Sequence, residues 1–257
     1  DEIGVINEFL PRQLTAEERR AAPPRTPPLR IERGFEYVER MAGGELTLAH
    51  TLEAGSGSHR LVGGVELNHS RIAERRDGLQ TNLLTGAESR VLLGEAMPVR
   101  DFPESEVAKL GLYLQDEFRP GGGAFAVTPG LRLDAYRLRP RHDPLYAEDN
   151  PGQVPASVEQ VSLSPKLGLS WQAREGLTAW LQYAQGFRAP PFEDVNIGLD
   201  IPQFNIRALP NPDLRPETSD SLELGLRFTG AALAGSASVF YSRYEDFIES
   251  RVRIGTD

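Results

Sequence analysis

The run YAQGFRAPPFEDVNIGLDIPQFNIRALPNPDLRPETSDSLELGL, residues 183–226, decides how the whole chain is read. Two compact boxes bracket it: Gly186-Phe187-Arg188-Ala189-Pro190 and Asn211-Pro212-Asp213-Leu214-Arg215-Pro216-Glu217. Alternating apolar residues lead into the first box and away from the second, so one strand enters and another leaves. Proline fixes φ and lacks a backbone donor, so each box stops its strand. The reading is a long loop, rich in Pro, Asn and aromatics, pinned at both rims on a β scaffold. Loops held by a rigid scaffold are where binding function concentrates.

Outward from this loop the period-two pattern repeats. Val161, Leu163, Leu167, Leu169 and Trp171 share one face of a strand, with Ser162, Ser164, Lys166, Gly168 and Ser170 on the other. Further runs cover Glu45 to Leu52, Leu61 to Asn68, Leu110 to Phe118, Phe125 to Asp134, Leu177 to Tyr183, Leu222 to Phe228, and a last stretch ending near Phe247. That predicts eight strands from residue 33 onward. Residues 1–32, charged and proline-rich, read as a loop or a fragment end, and residues 71–107 and 139–157 as long polar connections.

The connections alternate between short and long. Greek-key sandwiches have no reason to keep that rhythm, whereas an outer-membrane barrel does, with short turns on one side and long loops on the other. Phe118, Phe125, Trp171 and Phe228 all fall on the apolar face beside short turns, as an interfacial aromatic girdle requires. Pro129 and Pro165 interrupt strand patterns, which predicts bulges or strand-end positions for them. The expected fold is therefore all-β: an antiparallel transmembrane β-barrel segment whose Val161–Trp171 apolar face meets lipid.

Composition narrows the function classes. A net charge of −9 and a pI near 5.1 argue against a nucleic-acid partner. The chain has no cysteine, which excludes disulfides and thiolate metal sites. No apolar run is long enough for a membrane helix. A membrane strand needs only about 9–11 residues with alternate ones apolar, so a mean hydropathy of −0.38 suits a barrel as well as a soluble domain. The four histidines, His50, His59, His69 and His142, are scattered, and no Ser/His/Asp set or phosphate loop is readable, which points away from an enzyme.

The two boxes also carry a resemblance. A Phe-Arg-Ala-Pro box, a spacer, and an Asn-Pro-Asp-Leu box running into Arg-Pro-Glu-Thr-Ser resemble the TonB-dependent outer-membrane receptors, in particular their haemoglobin/haem/transferrin branch. The segments 128–132 and 164–169 are similar to recurrent barrel segments of the same family. The positions matching its motifs are Phe187, Arg188, Ala189, Pro190, Asn211, Pro212, Leu214, Pro216 and Glu217. The resemblance implies a Gram-negative outer-membrane location and a barrel of about 22 strands with a plugged lumen. Eight strands would be part of it, and the plug that contacts the TonB energising complex is not in this stretch. It further implies active uptake of an iron-bearing ligand, with haem or a haemoprotein as transported cargo, not as a covalently held cofactor.

Haem receptors of this family place a histidine between the two boxes as an axial ligand, and tyrosine is a known substitute. Here neither residue type occurs between Pro190 and Asn211. Phe192, Phe204, Asn205 and Arg207 are the ligand-contact candidates in that loop. His142 and Tyr146, in the preceding long connection, are the candidates for reaching iron. The alternatives are a TonB-dependent receptor for a siderophore or another chelate, a small structural or adhesive barrel, and a soluble β-sandwich binding module.

Overall fold

The computed structural model describes residues 3–9, 28–92, 94–121, 123–201 and 206–249. Eight long strands carry the fold: β2 (Leu29–Ala54), β3 (Gly57–Asn82), β7 (Ser105–Pro120), β8 (Phe125–Pro140), β9 (Val158–Arg174), β10 (Leu177–Arg188), β13 (Glu217–Thr229) and β14 (Ala234–Glu245). Each pairs antiparallel with its neighbour in the chain, and β1 (Ile3–Phe9) adds an edge to β2. Short pieces fill the long connections: β4 (Glu88–Ser89), β5 (Val91–Leu92), β6 (Glu95–Ala96), α1 (Pro144–Asp149), α2 (Phe192–Asn196), β11 (Asp200–Ile201) and β12 (Ile206–Arg207).

The alternation seen in the sequence becomes rows across the sheet. Leu46, Val65, Leu112, Leu133 and Leu163 form one outward row, and Gly44, Leu67, Leu110, Ala135 and Val161 the next one up. These outward side chains are uncovered: along β9 exposure runs from 37% at Leu169 to 71% at Val161. A soluble sandwich would bury that row beneath a second sheet. Near the short turns Phe125 stacks on Trp171 at 5.9 Å and His59 on Phe118 at 4.5 Å, which puts the expected girdle at one end of the strands. The turn between β9 and β10 uses Gly176 at φ 72°, a conformation that glycine reaches without strain.

Three expectations need correction. Residues 71–107 are not one loop, because β3 continues to Asn82 in unbroken register with β2. Its charges were read as loop chemistry. Beyond the apolar belt, however, an outward strand position can be charged while Ile72, Glu74 and Arg76 keep the inward period. Residues 1–32 are not all loop, since Ile3–Phe9 pairs with Leu29–Phe35; its β-branched and aromatic residues favour extending the sheet. Pro129 and Pro165 do not need bulges. Each lies in the continuous β8–β9 register, and its other ladder lapses there: β7–β8 pairing skips from Gln115 to Phe118, and β9–β10 pairing ends at Lys166. The missing N–H falls where no partner is required.

Curling of the sheet makes an inner face. Ile72, Val107, Leu138 and Val158 project inward from β3, β7, β8 and β9 and bury Val195 of α2, with Phe102, Tyr136, Phe192 and Leu214 packed around them. Through Phe192, Val195 and Leu214 the loop between the two boxes thus folds back over the sheet instead of standing away from it.

Candidate functional site

The two boxes meet across the β10–β13 ladder. Arg188 is the register partner of Glu217 and ion-pairs with it at 3.2 Å, and Glu217 also accepts the Ile248 N–H at 2.8 Å. The pair closes the loop's base. Pro190 is fully buried beside it, and its carbonyl lies 3.4 Å from the Tyr136 hydroxyl. Leu214 anchors the second box to the core, whereas Asn211, Pro212 and Arg215 are exposed. Arg215 forms no ion pair among the described residues.

Beneath the first box a cleft of about 450 Å³ opens on the inner face. Phe187, Ala189, Pro191 and Phe192 give it one apolar wall. Tyr37, Glu39, Lys109 and Glu193 give it polar ones. Such a mix, an apolar wall with a few placed charges, is the usual form of a ligand cleft.

The structure scatters the sequence candidates. Phe192 sits at this cleft but is half spent on packing, edge-on to Phe102 at 5.0 Å. Arg207 is exposed on β12, where its backbone register partner is Asp200 of β11. Phe204 and Asn205 lie outside the described residues. His142 is exposed on the outer surface of its connection. Tyr146 is not an exposed loop residue at all. It is 2% exposed in α1, and its hydroxyl lies 3.0 Å from both the Asn196 carbonyl and Gln153 Oε1. Burial, then the Asp149 and Asp143 charges, push its phenol up to about 12.

Tyr146 belongs to a layer that sequence reasoning missed. Asn196 donates to the Ala156 carbonyl at 2.9 Å and accepts the Ala156 N–H at 2.7 Å, tying α2 to the preceding connection. Asn150 donates to the Arg100 carbonyl at 3.1 Å and packs so close to Gly198 that a Cβ there would overlap its amide. Arg76 forks onto Asp101 (2.7 Å) and Glu95 (2.8 Å), and Arg100 bonds Glu104 (2.9 Å) and Asp143 (2.8 Å), the residue that caps α1. The three long connections are thus one docked body. The period-two continuation Ile72, Glu74, Arg76 was the available signal for it.

Glu74 is the stressed member. It is 1% exposed; Oε2 accepts the Asp101 N–H at 3.1 Å, and Oε1 has no partner among the described residues. Burial first, then the Asp101 charge, raise its pKa from 4.5 to about 7, against the opposing pull of Arg76 and Arg100. A carboxyl raised on folding stabilises fully below its unfolded pKa and loses that contribution as pH climbs through the folded one. Protection of this layer should therefore fall between pH 4.5 and about 7. Glu74→Gln should flatten the slope and gain on the order of 3 kcal/mol at pH 8. Asp149, raised to about 6 mainly by burial, adds a slope of the same sign over a lower pH range, from 3.8 to about 6. Amide exchange of residues 99–104 at pH 5 and pH 8 checks this; equal slopes in both proteins would contradict it.

Comparison with known proteins bears on the whole arrangement. A family model described as TonB dependent receptor-like, beta-barrel, matches residues 14–257. Hemoglobin-haptoglobin utilization protein B of Neisseria meningitidis is 31% identical over 141 residues, 53% of this chain but 17% of that protein. A double mutant of the Serratia marcescens hemophore receptor HasR, solved with its hemophore HasA and heme, superposes with a TM-score of 0.60 at 14% identity, over 96% of this chain and 39% of its own. The unliganded ferric citrate transporter FecA gives a TM-score of 0.59 at 17% identity, covering 84% and 29%. At those identities the solved structures share the fold alone, and the chain spans a minor part of the proteins it matches. It belongs to the TonB-dependent receptors, as a stretch of their outer-membrane β-barrel.

Proposed function

We propose that the receptor containing this segment takes up haem from a haemoprotein, energised through TonB by a plug outside this stretch. The likeness to a haemoglobin-haptoglobin utilization protein over 141 residues carries the reading. The chemistry of the loop supports a particular form of it. With no His or Tyr between the boxes, and Arg207 exposed on the β11–β12 ribbon, the loop is suited to gripping protein surface. Arginine and aromatic side chains dominate such interfaces.

Growth of a strain carrying the full-length receptor, with haemoglobin as sole iron source, tests this. Phe204→Ala with Arg207→Ala should weaken haemoglobin binding by roughly a hundredfold or more, since central Arg and aromatic contacts are worth about 2 kcal/mol or more each. His142→Ala should leave growth unchanged. A wild-type receptor that supports growth on a ferric siderophore but never on haem or haemoglobin would refute the haem reading and leave the family untouched.

A further inference from the structure

The outward face changes character abruptly above the apolar belt. The row Gly44, Leu67, Leu110, Ala135, Val161 is uncharged. One step up, about 7 Å along the strands, the row reads Ala42, His69, Ala108, Arg137, Glu159. The next reads Arg40, Arg71, Glu106, Arg139. All six of these charged side chains and Arg141 lie at the end bearing the long connections, which faces outward from the cell.

Ion pairing confirms the shared face. Arg71 meets Glu106 at 3.2 Å, Arg137 meets Glu159 at 2.8 Å, and Arg139 shares that carboxylate at 3.6 Å. Arg141 reaches Glu106 only at 3.9 Å. Five arginines stand against two glutamates, so three positive charges are uncompensated in a chain whose net charge is −9. The four arginines in these pairs keep side-chain exposures of 49–61%. Just below them the small residues Ala42, Ala108 and Ala135, with Arg137 and Glu159 at the upper edge, line a groove of about 500 Å³ that runs down to Leu67, Leu110 and Val161.

A water-exposed rim alone would need no excess of one sign, and no groove continuous with the belt. The geometry points to a binding site for a phosphate-bearing lipid of the outer leaflet: its acyl chains lie on the belt, and its headgroup phosphates lie among Arg71, Arg137 and Arg139. Guanidinium forks match phosphate oxygens in pairs, and each basic side chain near a membrane surface adds to the hold on anionic lipid. This rests on the barrel's orientation in the outer membrane and not on which cargo the receptor takes.

The test uses the purified full-length receptor in neutral detergent, titrated with diphosphorylated lipid A and followed by native mass spectrometry. Arg71→Gln/Arg137→Gln/Arg139→Gln should bind about a hundredfold more weakly than wild type. Glu106→Gln/Glu159→Gln, which removes only competing anions, should bind more tightly and keeps the idea exposed if the triple variant does not fold. The same lipid stripped of both phosphates should bind no better to wild type than to the triple variant. Lipid A affinity unchanged in the arginine variant, or unchanged in the glutamate variant, would overturn the site. So would displacement of bound lipid A by millimolar inorganic phosphate, because that would mark a free-anion site. Haemoglobin-dependent growth is read separately, so failure here leaves the uptake reading intact.

Discussion

Arg76→Met in the full-length receptor will open the layer of long connections at a cost of about 3–5 kcal/mol, the range for stripping one partner from a buried ion pair. The Arg76 guanidinium satisfies two carboxylates at once, Glu95 and Asp101, and Glu95 is itself buried. Burial alone would lower its pKa, but the hydrogen bonds and charges of those carboxylates outweigh that and raise it. Without it, Glu95 and Asp101 lose their shared cation, and the already stressed Glu74 loses one of the two arginines that oppose its neutralisation. The backbone bridge from Arg76 to Val99, 3.0 and 2.9 Å in its two directions, should fail with them. Loss of amide protection at residues 76 and 99–104, with the strand amides below Leu67 unaffected, is the expected record. The double variant Arg76→Met/Glu95→Leu should recover part of the loss, because a buried pair replaced by apolar groups of similar size is often neutral. Equal protection in Arg76→Met and wild type would show that the network holds nothing together.

How much of this was legible in the sequence differs by level. The strands were, because period two survives in rows such as Val161, Leu163, Leu167, Leu169 and Trp171, whatever the neighbouring strand does. The rhythm of short and long connections gave the barrel, since it depends only on where the pattern stops. The upper halves of β2 and β3 were missed. Above the belt the outward positions Arg71 and Arg75 are charged, so the apolar half of the code disappears while the strand continues. The prolines misled because a ladder can lapse on one side only, which needs both neighbours to be known. The site fared worse. Tyr146 looks like a free loop tyrosine until Asn196, fifty positions on, is seen to sit against its hydroxyl. Contacts between loops follow no period, so neither the docked layer nor the cleft beneath the first box had a local signature.

That contact yields the sharpest discrimination between architecture and chemistry. Tyr146→Ala removes a ring that is 2% exposed and should cost about 3–5 kcal/mol, as large-to-small changes of buried aromatics do. Tyr146→Phe keeps the ring and removes only the hydroxyl. The Asn196 carbonyl and Gln153 Oε1 then lose a shared neighbour, a penalty of about 1–3 kcal/mol. Both variants should loosen the amides of residues 196–198 and of Ala156, in that order of severity. Neither should change the absorption spectrum of haem bound to the full-length receptor. One observation separates Tyr146 from iron chemistry: its hydroxyl is already committed to the Asn196 carbonyl and Gln153 Oε1. An iron ligand would behave in the opposite way, with Tyr146→Phe shifting the haem spectrum while loop protection stayed at its wild-type level. Finding that pattern would return Tyr146 to the site and make its burial a property of the cargo-free state.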